Sequence, residues 1–95
     1  MISELTQKEK KRFKAQAQRL KPVIHVGKAG LSDPLLKSVD EALDRHSLIK
    51  VKFADFKDQR KELAPVIAEK SRSHLITLLG NVLVLYRRKK EEDIQ

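Results

Sequence analysis

The sequence predicts a compact α/β fold, a single domain in the order α-β-α-β-α-β-β, with helices packed on a four-stranded mixed sheet. Three observations predict it. Hydrophobic spacing switches between helical and extended periods along the chain, and glycines and prolines mark several of the switches. Helical segments separate the first three extended segments, which favours parallel strands, whereas only Gly80-Asn81 separates the third from the fourth, as in a tight antiparallel hairpin. A chain of 95 residues, 40% of them apolar, supports one core and leaves little room for a second domain.

Each element has its own signal. Thr6-Gln7-Lys8-Glu9 is a capping box, so a helix should start there, run to about Leu20 and stop before Pro22. Phe13, Ala17 and Leu20 give it a narrow apolar stripe. Val23-Ile24-His25-Val26, bounded by Pro22 and Gly27, reads as a short strand. After the loop Gly27-Lys28-Ala29-Gly30-Leu31, Ser32 caps a second helix with Asp33 and Pro34 in its first turn. Leu35, Val39, Ala42, Leu43 and His46 mark its buried face.

From Leu48 to Ala54 the pattern alternates. Ile49, Val51 and Phe53 point one way, and Lys50 and Lys52 point to a wet face. Asp58 is placed to cap a third helix carrying Leu63, Val66 and Ile67, within which Pro65 either introduces a kink or delays the start to near Ala64. His74–Leu79 and Val82–Arg87 are the hairpin strands. The core is expected over residues 5–88, with a charged, frayed tail over 89–95.

Composition narrows the function. There are no cysteines, which removes disulfides, thiolate metal sites and cysteine nucleophiles. His25, His46 and His74 show no metal-ligand spacing, Ser32 and Ser71 have no base at motif spacing, and no Walker loop or dinucleotide fingerprint is present. Neither an enzyme nor a cofactor or metal site is expected. The N-terminus has no apolar leader, and Leu75 to Tyr86 is too short to span a bilayer, so a cytoplasmic protein without membrane attachment is expected.

The net charge of +8 suits a polyanionic partner. It is also concentrated. Lys8, Lys10, Lys11, Arg12, Lys14, Arg19 and Lys21 face Glu9 alone, so the first helix and its exit hold +6 of that total. The loop Gly27 to Gly30, between a strand and a helix, is either a turn that needs positive φ or a cradle where backbone N–H groups meet phosphate, with Lys28 at its tip. Asp33 in the next helical turn opposes an anion. The basic helix ends just before the strand that feeds this loop, which favours the cradle. Lys50 and Lys52 would form an outer margin. Phe13, Phe53 and Tyr86 lie on apolar stripes, so the paired exposed aromatics of a base-stacking sheet are missing; Phe56 is the one stacking candidate, though partial burial suits it better.

Four ordered motifs add a family resemblance. Leu20-Lys21-Pro22-Val23, Val26-Gly27-Lys28-Ala29-Gly30-Leu31, Leu48-Ile49-Lys50-Val51-Lys52 and Gly80-Asn81-Val82-Leu83-Val84-Leu85-Tyr86-Arg87 lie within a stretch from Leu5 to Arg88 that resembles the bacterial YhbY-like proteins. These share the chloroplast RNA splicing and ribosome maturation (CRM) domain. The resemblance implies a fold similar to the C-terminal domain of bacterial translation initiation factor three. It also implies a glycine loop analogous to that of KH domains, and RNA as ligand.

Stand-alone bacterial members look like factors associated with the precursor of the large ribosomal subunit. By position, the RNA contacts it implies are Gly27, Lys28, Ala29, Gly30, the first helix's cations (Lys11, Arg12, Lys14, Arg19, Lys21) and Arg87. The expectation is a monomeric RNA-binding assembly factor with no small-molecule substrate. The alternative is a module docking on a ribosomal protein or another acidic partner. Ser73, where many relatives carry glycine, and Pro65 depart from the family pattern.

Overall fold

In the computed structural model, which describes residues 5–88, the elements are α1 (Gln7–Ala17), β1 (Ile24–Val26), α2 (Asp33–His46), β2 (Leu48–Phe53), the 3-10 turn η1 (Lys57–Gln59), α3 (Arg60–Lys70), β3 (His74–Leu79) and β4 (Val82–Tyr86). The expected order holds, with η1 as an addition. The sheet runs β1-β2-β4-β3. β1 pairs parallel with β2 because α2 carries the chain back across, and β4 folds antiparallel between β2 and β3. The expected tail, residues 89–95, lies outside the described residues.

The two faces of the sheet bury different helices. Ile49, Val51 and Phe53 of β2, with Val26, Leu83 and Leu85, pack against Val39 and Leu43 of α2 and Ala64, Ile67 and Ala68 of α3. Strand alternation sends Leu48, Val84 and Tyr86 to the opposite face, where Phe13 and Ala17 of α1 meet them with Ile76. The Phe13 and Tyr86 rings stack with centroids 4.0 Å apart. That contact gives the narrow stripe of α1 its partner surface.

Several boundaries and roles differ from the sequence reading. The α1 helix ends at Ala17 in a turn, with Gln18 N–H bonded to the Ala15 carbonyl, so Leu20 falls outside the helix and off the stripe. His46 is exposed in the last turn of α2 and does not lie on its buried face. Asp58 does not cap α3. It sits inside η1, and Gln59 occupies the cap position without a side-chain bond. Pro65 lies on the exposed side of a helix that continues from Arg60, so helix formation does not wait for Ala64.

The third helix closes with a Schellman motif. Arg72 takes the left-handed conformation (φ 54°), Arg72 N–H bonds the Glu69 carbonyl and Ser73 N–H bonds the Ala68 carbonyl. The buried hydroxyls of Ser71 and Ser73 lie 2.8 Å apart, and Ser71 also donates to the Ile67 carbonyl. Ser73 is therefore satisfied in place of a glycine.

Directly after this motif, at the start of β3, the His74 ring stacks near Tyr86, centroids 6.4 Å apart. Burial depresses its pKa first, and the Arg88 and Lys10 charges add to the effect, against a smaller opposing pull from Glu9. The folded state thus favours neutral imidazole. The associated stability is complete above the ordinary value of 6.5, falls as pH drops below it, and levels off below the depressed folded value. Thermal melts of His74→Gln should therefore lose less between neutral and mildly acidic pH than those of the parent. Equal slopes in the two proteins would exclude this role.

Candidate nucleic-acid interface

The glycine loop is a hydrogen-bonded turn. Gly30 N–H donates to the Gly27 carbonyl at 3.0 Å, and neither Lys28 nor Ala29 has positive φ, as in a type I turn with glycine at its fourth position. Only Gly30 is left-handed, at φ +65°. A Cβ there would stand 3.3 Å from the Phe56 ring, whereas one on Gly27 would meet nothing within 4 Å. The loop's shape is set by Gly30 against Phe56. Gly27, Lys28 and Ala29 are exposed to solvent.

The following helix offers less to an anion than its position suggests. Ser32 Oγ accepts from Leu35 N–H, Leu36 N–H bonds the Ser32 carbonyl, Pro34 has no N–H, and Asp33 adds a carboxylate. Most of the donors of that first turn are taken or missing. The exposed tip, with Lys28, is the part of the loop left for a ligand.

Lys11, Arg12, Lys14, Arg19 and Lys21 are all exposed. The α1 helix crosses the strands. Lys10 and Glu9 act on His74 at the β3 edge, while the Leu20 carbonyl just beyond the helix accepts from Lys50 Nζ on β2. Arg19 and Lys21 flank Leu20 in the chain, just ahead of β1. Lys21 and Gly27 are six positions apart in the chain, a reach of roughly 20 Å at full extension. Lys52 is exposed and half-buried Lys50 shares its face, the same side of the sheet that α1 covers elsewhere.

Glu9 does not neutralise the helix. Its carboxylate accepts from Thr6 N–H at 2.9 Å while Glu9 N–H donates to Thr6 Oγ1, and these bonds hold its pKa below the usual value. Among the described residues, carboxylate–cation contacts within 4 Å are made by Arg87 alone.

Arg87 stands apart from the other sequence-predicted contacts. Its guanidinium, 18% exposed, donates to Asp40 Oδ1 (2.7 Å), the Asp40 carbonyl (2.9 Å), Asp44 Oδ1 (2.9 Å) and the Ser71 carbonyl (2.8 Å). These bonds tie β4 to α2 and to the end of α3, and they engage both terminal nitrogens of the guanidinium within the fold. The sequence signal was available: Asp40 and Asp44, one helical turn apart, present two carboxylates on one side of α2.

Phe56 was the feature least legible in the sequence. It takes the left-handed conformation (φ 56°), its N–H bonds its neighbour's Asp55 Oδ1, and its half-buried ring supports Gly30. It is a packing residue, as partial burial suggested. The loop from Ala54 to Gln59 thus flanks the glycine turn. Among the described residues no group of three or more His, Asp or Glu side chains is placed to hold a metal, and no helix is long and apolar enough to cross a membrane.

Known proteins resemble this chain over most of its length. A model of the CRS1/YhbY (CRM) domain matches residues 5–87. A Bacillus subtilis protein named Probable RNA-binding protein YqeI is 36% identical over 88 residues, 92% of each chain. The Pseudomonas aeruginosa Probable RNA-binding protein PA4753 is 40% identical over 85 residues, 88% of this chain and 82% of the relative. A solution structure of SAV1595 from Staphylococcus aureus, described as a candidate RNA-binding protein, superposes with a TM-score of 0.78 at 35% identity and covers 92% of both chains. With the family model spanning nearly all the described residues and relatives of this identity matching over most of their length, the chain belongs to the CRS1/YhbY (CRM) domain family.

Proposed function

We propose that this chain is an RNA-binding protein that grips the backbone of structured ribosomal RNA and serves as an assembly factor of the large ribosomal subunit. The observation that carries the reading is electrostatic. The exposed cations of α1 and its exit lie on one side of the sheet with Lys50 and Lys52, and within the described chain none has a carboxylate at ion-pair distance. Unpaired cations at this density bind phosphates by releasing condensed counterions. The exposed Gly27-Lys28-Ala29 tip supplies the point of close backbone approach. Relatives bearing RNA-binding names support the ligand class. The ribosomal target rests on the family resemblance.

Two charge-changing variants test the surface. Lys28→Glu, and separately Lys11→Glu with Lys14→Glu, should each weaken RNA binding on the order of tenfold at low salt while leaving the thermal melt in place. Each lost phosphate contact should flatten the log–log salt dependence by about 0.7 on single strands. Filter binding across a salt series measures both quantities, and affinities equal to the parent's would remove the surface from consideration. Crosslinking in cells, followed by sequencing of attached RNA, tests the target: enrichment of large-subunit ribosomal RNA is expected.

A further inference from the structure

Beyond the glycine turn, one row of the sheet remains uncovered. Leu79 pairs with Val82, Val82 with Lys52, and Lys52 with His25, a register that crosses all four strands. Alternation places these side chains on the face that α1 covers elsewhere, since Val26, Phe53 and Leu83 next to them point into the opposite core. Phe13 and Ala17 of α1 reach Val84 and Tyr86 but not this row. His25, Lys52 and Leu79 are exposed, Leu79 at 78%, and Val82 between Lys52 and Leu79 is half-buried.

A lone exposed leucine needs no explanation. Here, however, the leucine shares a row with a cation, the row contains no carboxylate, and it ends two residues before Gly27. Val23, 48% exposed, lies two residues before His25 in the chain and is bonded through its N–H to the Lys50 carbonyl. The strip is roughly 14 Å long across the four strands, from the usual strand spacing. It offers apolar surface at one end, positive charge in the middle and the glycine turn at the other end.

We infer that this row is the track of a single-stranded RNA segment leaving the glycine turn, an inference that rests on the RNA-binding reading above. Lys52 faces the phosphates. The ring of His25 and the aliphatic surfaces of Leu79 and Val82 take the faces of unpaired bases or riboses, which every nucleotide presents regardless of sequence. A net cationic strip lacking carboxylates suits this polyanion and disfavours a basic protein partner. A duplex hides its base faces within the stack and would meet Lys52 alone.

The test compares a short mixed-sequence single-stranded RNA with a duplex of equal phosphate number, using the full chain. Leu79→Ser should weaken single-strand binding about fivefold or more and leave duplex binding within twofold. Lys52→Glu should weaken single-strand binding and flatten its salt dependence by about 0.7. Both positions are exposed, so melts should match the parent's. For Leu79→Ser, unchanged single-strand affinity, equal losses on both RNAs, or an effect confined to self-association in sedimentation would overturn the track. Lys28→Glu serves as the control. If it weakens binding while the row variants do not, the track fails alone; if none of the three matters, the RNA surface fails with it.

Discussion

Replacing Gly30 with alanine should destabilise the protein by about 2–3 kcal/mol, whereas the same change at Gly27 should leave its stability within about 0.5 kcal/mol of the parent's. The two glycines look equivalent in the sequence and are not. Gly30 sits at φ +65°, where an alanine costs roughly 1–2 kcal/mol because its Cβ crowds the following carbonyl. That Cβ would also press on the Phe56 ring at 3.3 Å. Phe56 has little freedom to withdraw, being itself left-handed at φ 56°. A destabilisation of this size corresponds to a melting temperature lower by roughly 8–20 °C in a domain of this length.

Gly27 has open space around it and no positive φ. Its alanine variant is therefore a clean probe of the ligand side of the loop. If a phosphate approaches the turn backbone there, RNA affinity falls while the melt stays put. Calorimetry and filter binding on the two variants separate the roles. A Gly30→Ala protein that melts with the parent would show that Phe56 yields freely, and the proposed support of the turn would then be wrong.

This asymmetry also shows what the sequence could and could not convey. Element order and sheet class were legible because they follow from periodicity and from short signals, such as Thr6 and Glu9 for α1 and Gly80-Asn81 for the hairpin. The alternation of Ile49, Val51 and Phe53 correctly announced one buried face of β2. Less legible was that the second face is also covered, by α1, over the rows holding Leu48, Val84 and Tyr86. Phe13 and Ala17, spaced one turn apart on a helix, show that a partner surface exists, not which side of the sheet provides it. The left-handed Phe56 was invisible for a different reason: a bulky residue at positive φ runs against local preference, and only tertiary packing holds it there.

The candidate site divides along the same line. Charge is written residue by residue, so the cations of α1 could be counted directly. Whether each one is free depends on carboxylates distant in the chain. Lys11 and Lys14 have none within ion-pair distance among the described residues, while Arg87 meets Asp40 and Asp44, more than forty positions away, only after the sheet has formed. Local sequence motifs therefore group Arg87 with the RNA contacts, while long-range geometry gives its guanidinium partners within the fold.

Arg87→Ala should then behave as a stability variant, with a loss of about 2 kcal/mol and little change in RNA affinity well below the melting temperature. Hydrogen bonds involving a charged group contribute about 1.5–3 kcal/mol when shielded, and exposed ion pairs about 0–1. Arg87 lies between these cases, since its side chain is 18% exposed while Asp40 and Asp44 are 57% and 51% exposed. Truncation also leaves the Ser71 carbonyl, at the end of α3, without this donor. Arg87→Lys should recover only part of the loss, because one ammonium cannot span the four acceptors that the planar fork reaches. A double-mutant cycle with Asp40→Asn should give a coupling of about 0.5–1 kcal/mol, reduced by salt. An Arg87→Ala protein that stays fully folded yet loses RNA affinity as strongly as Lys28→Glu would mean that the guanidinium leaves its carboxylates to meet phosphate, and the pin connecting β4 to α2 would then be a secondary role.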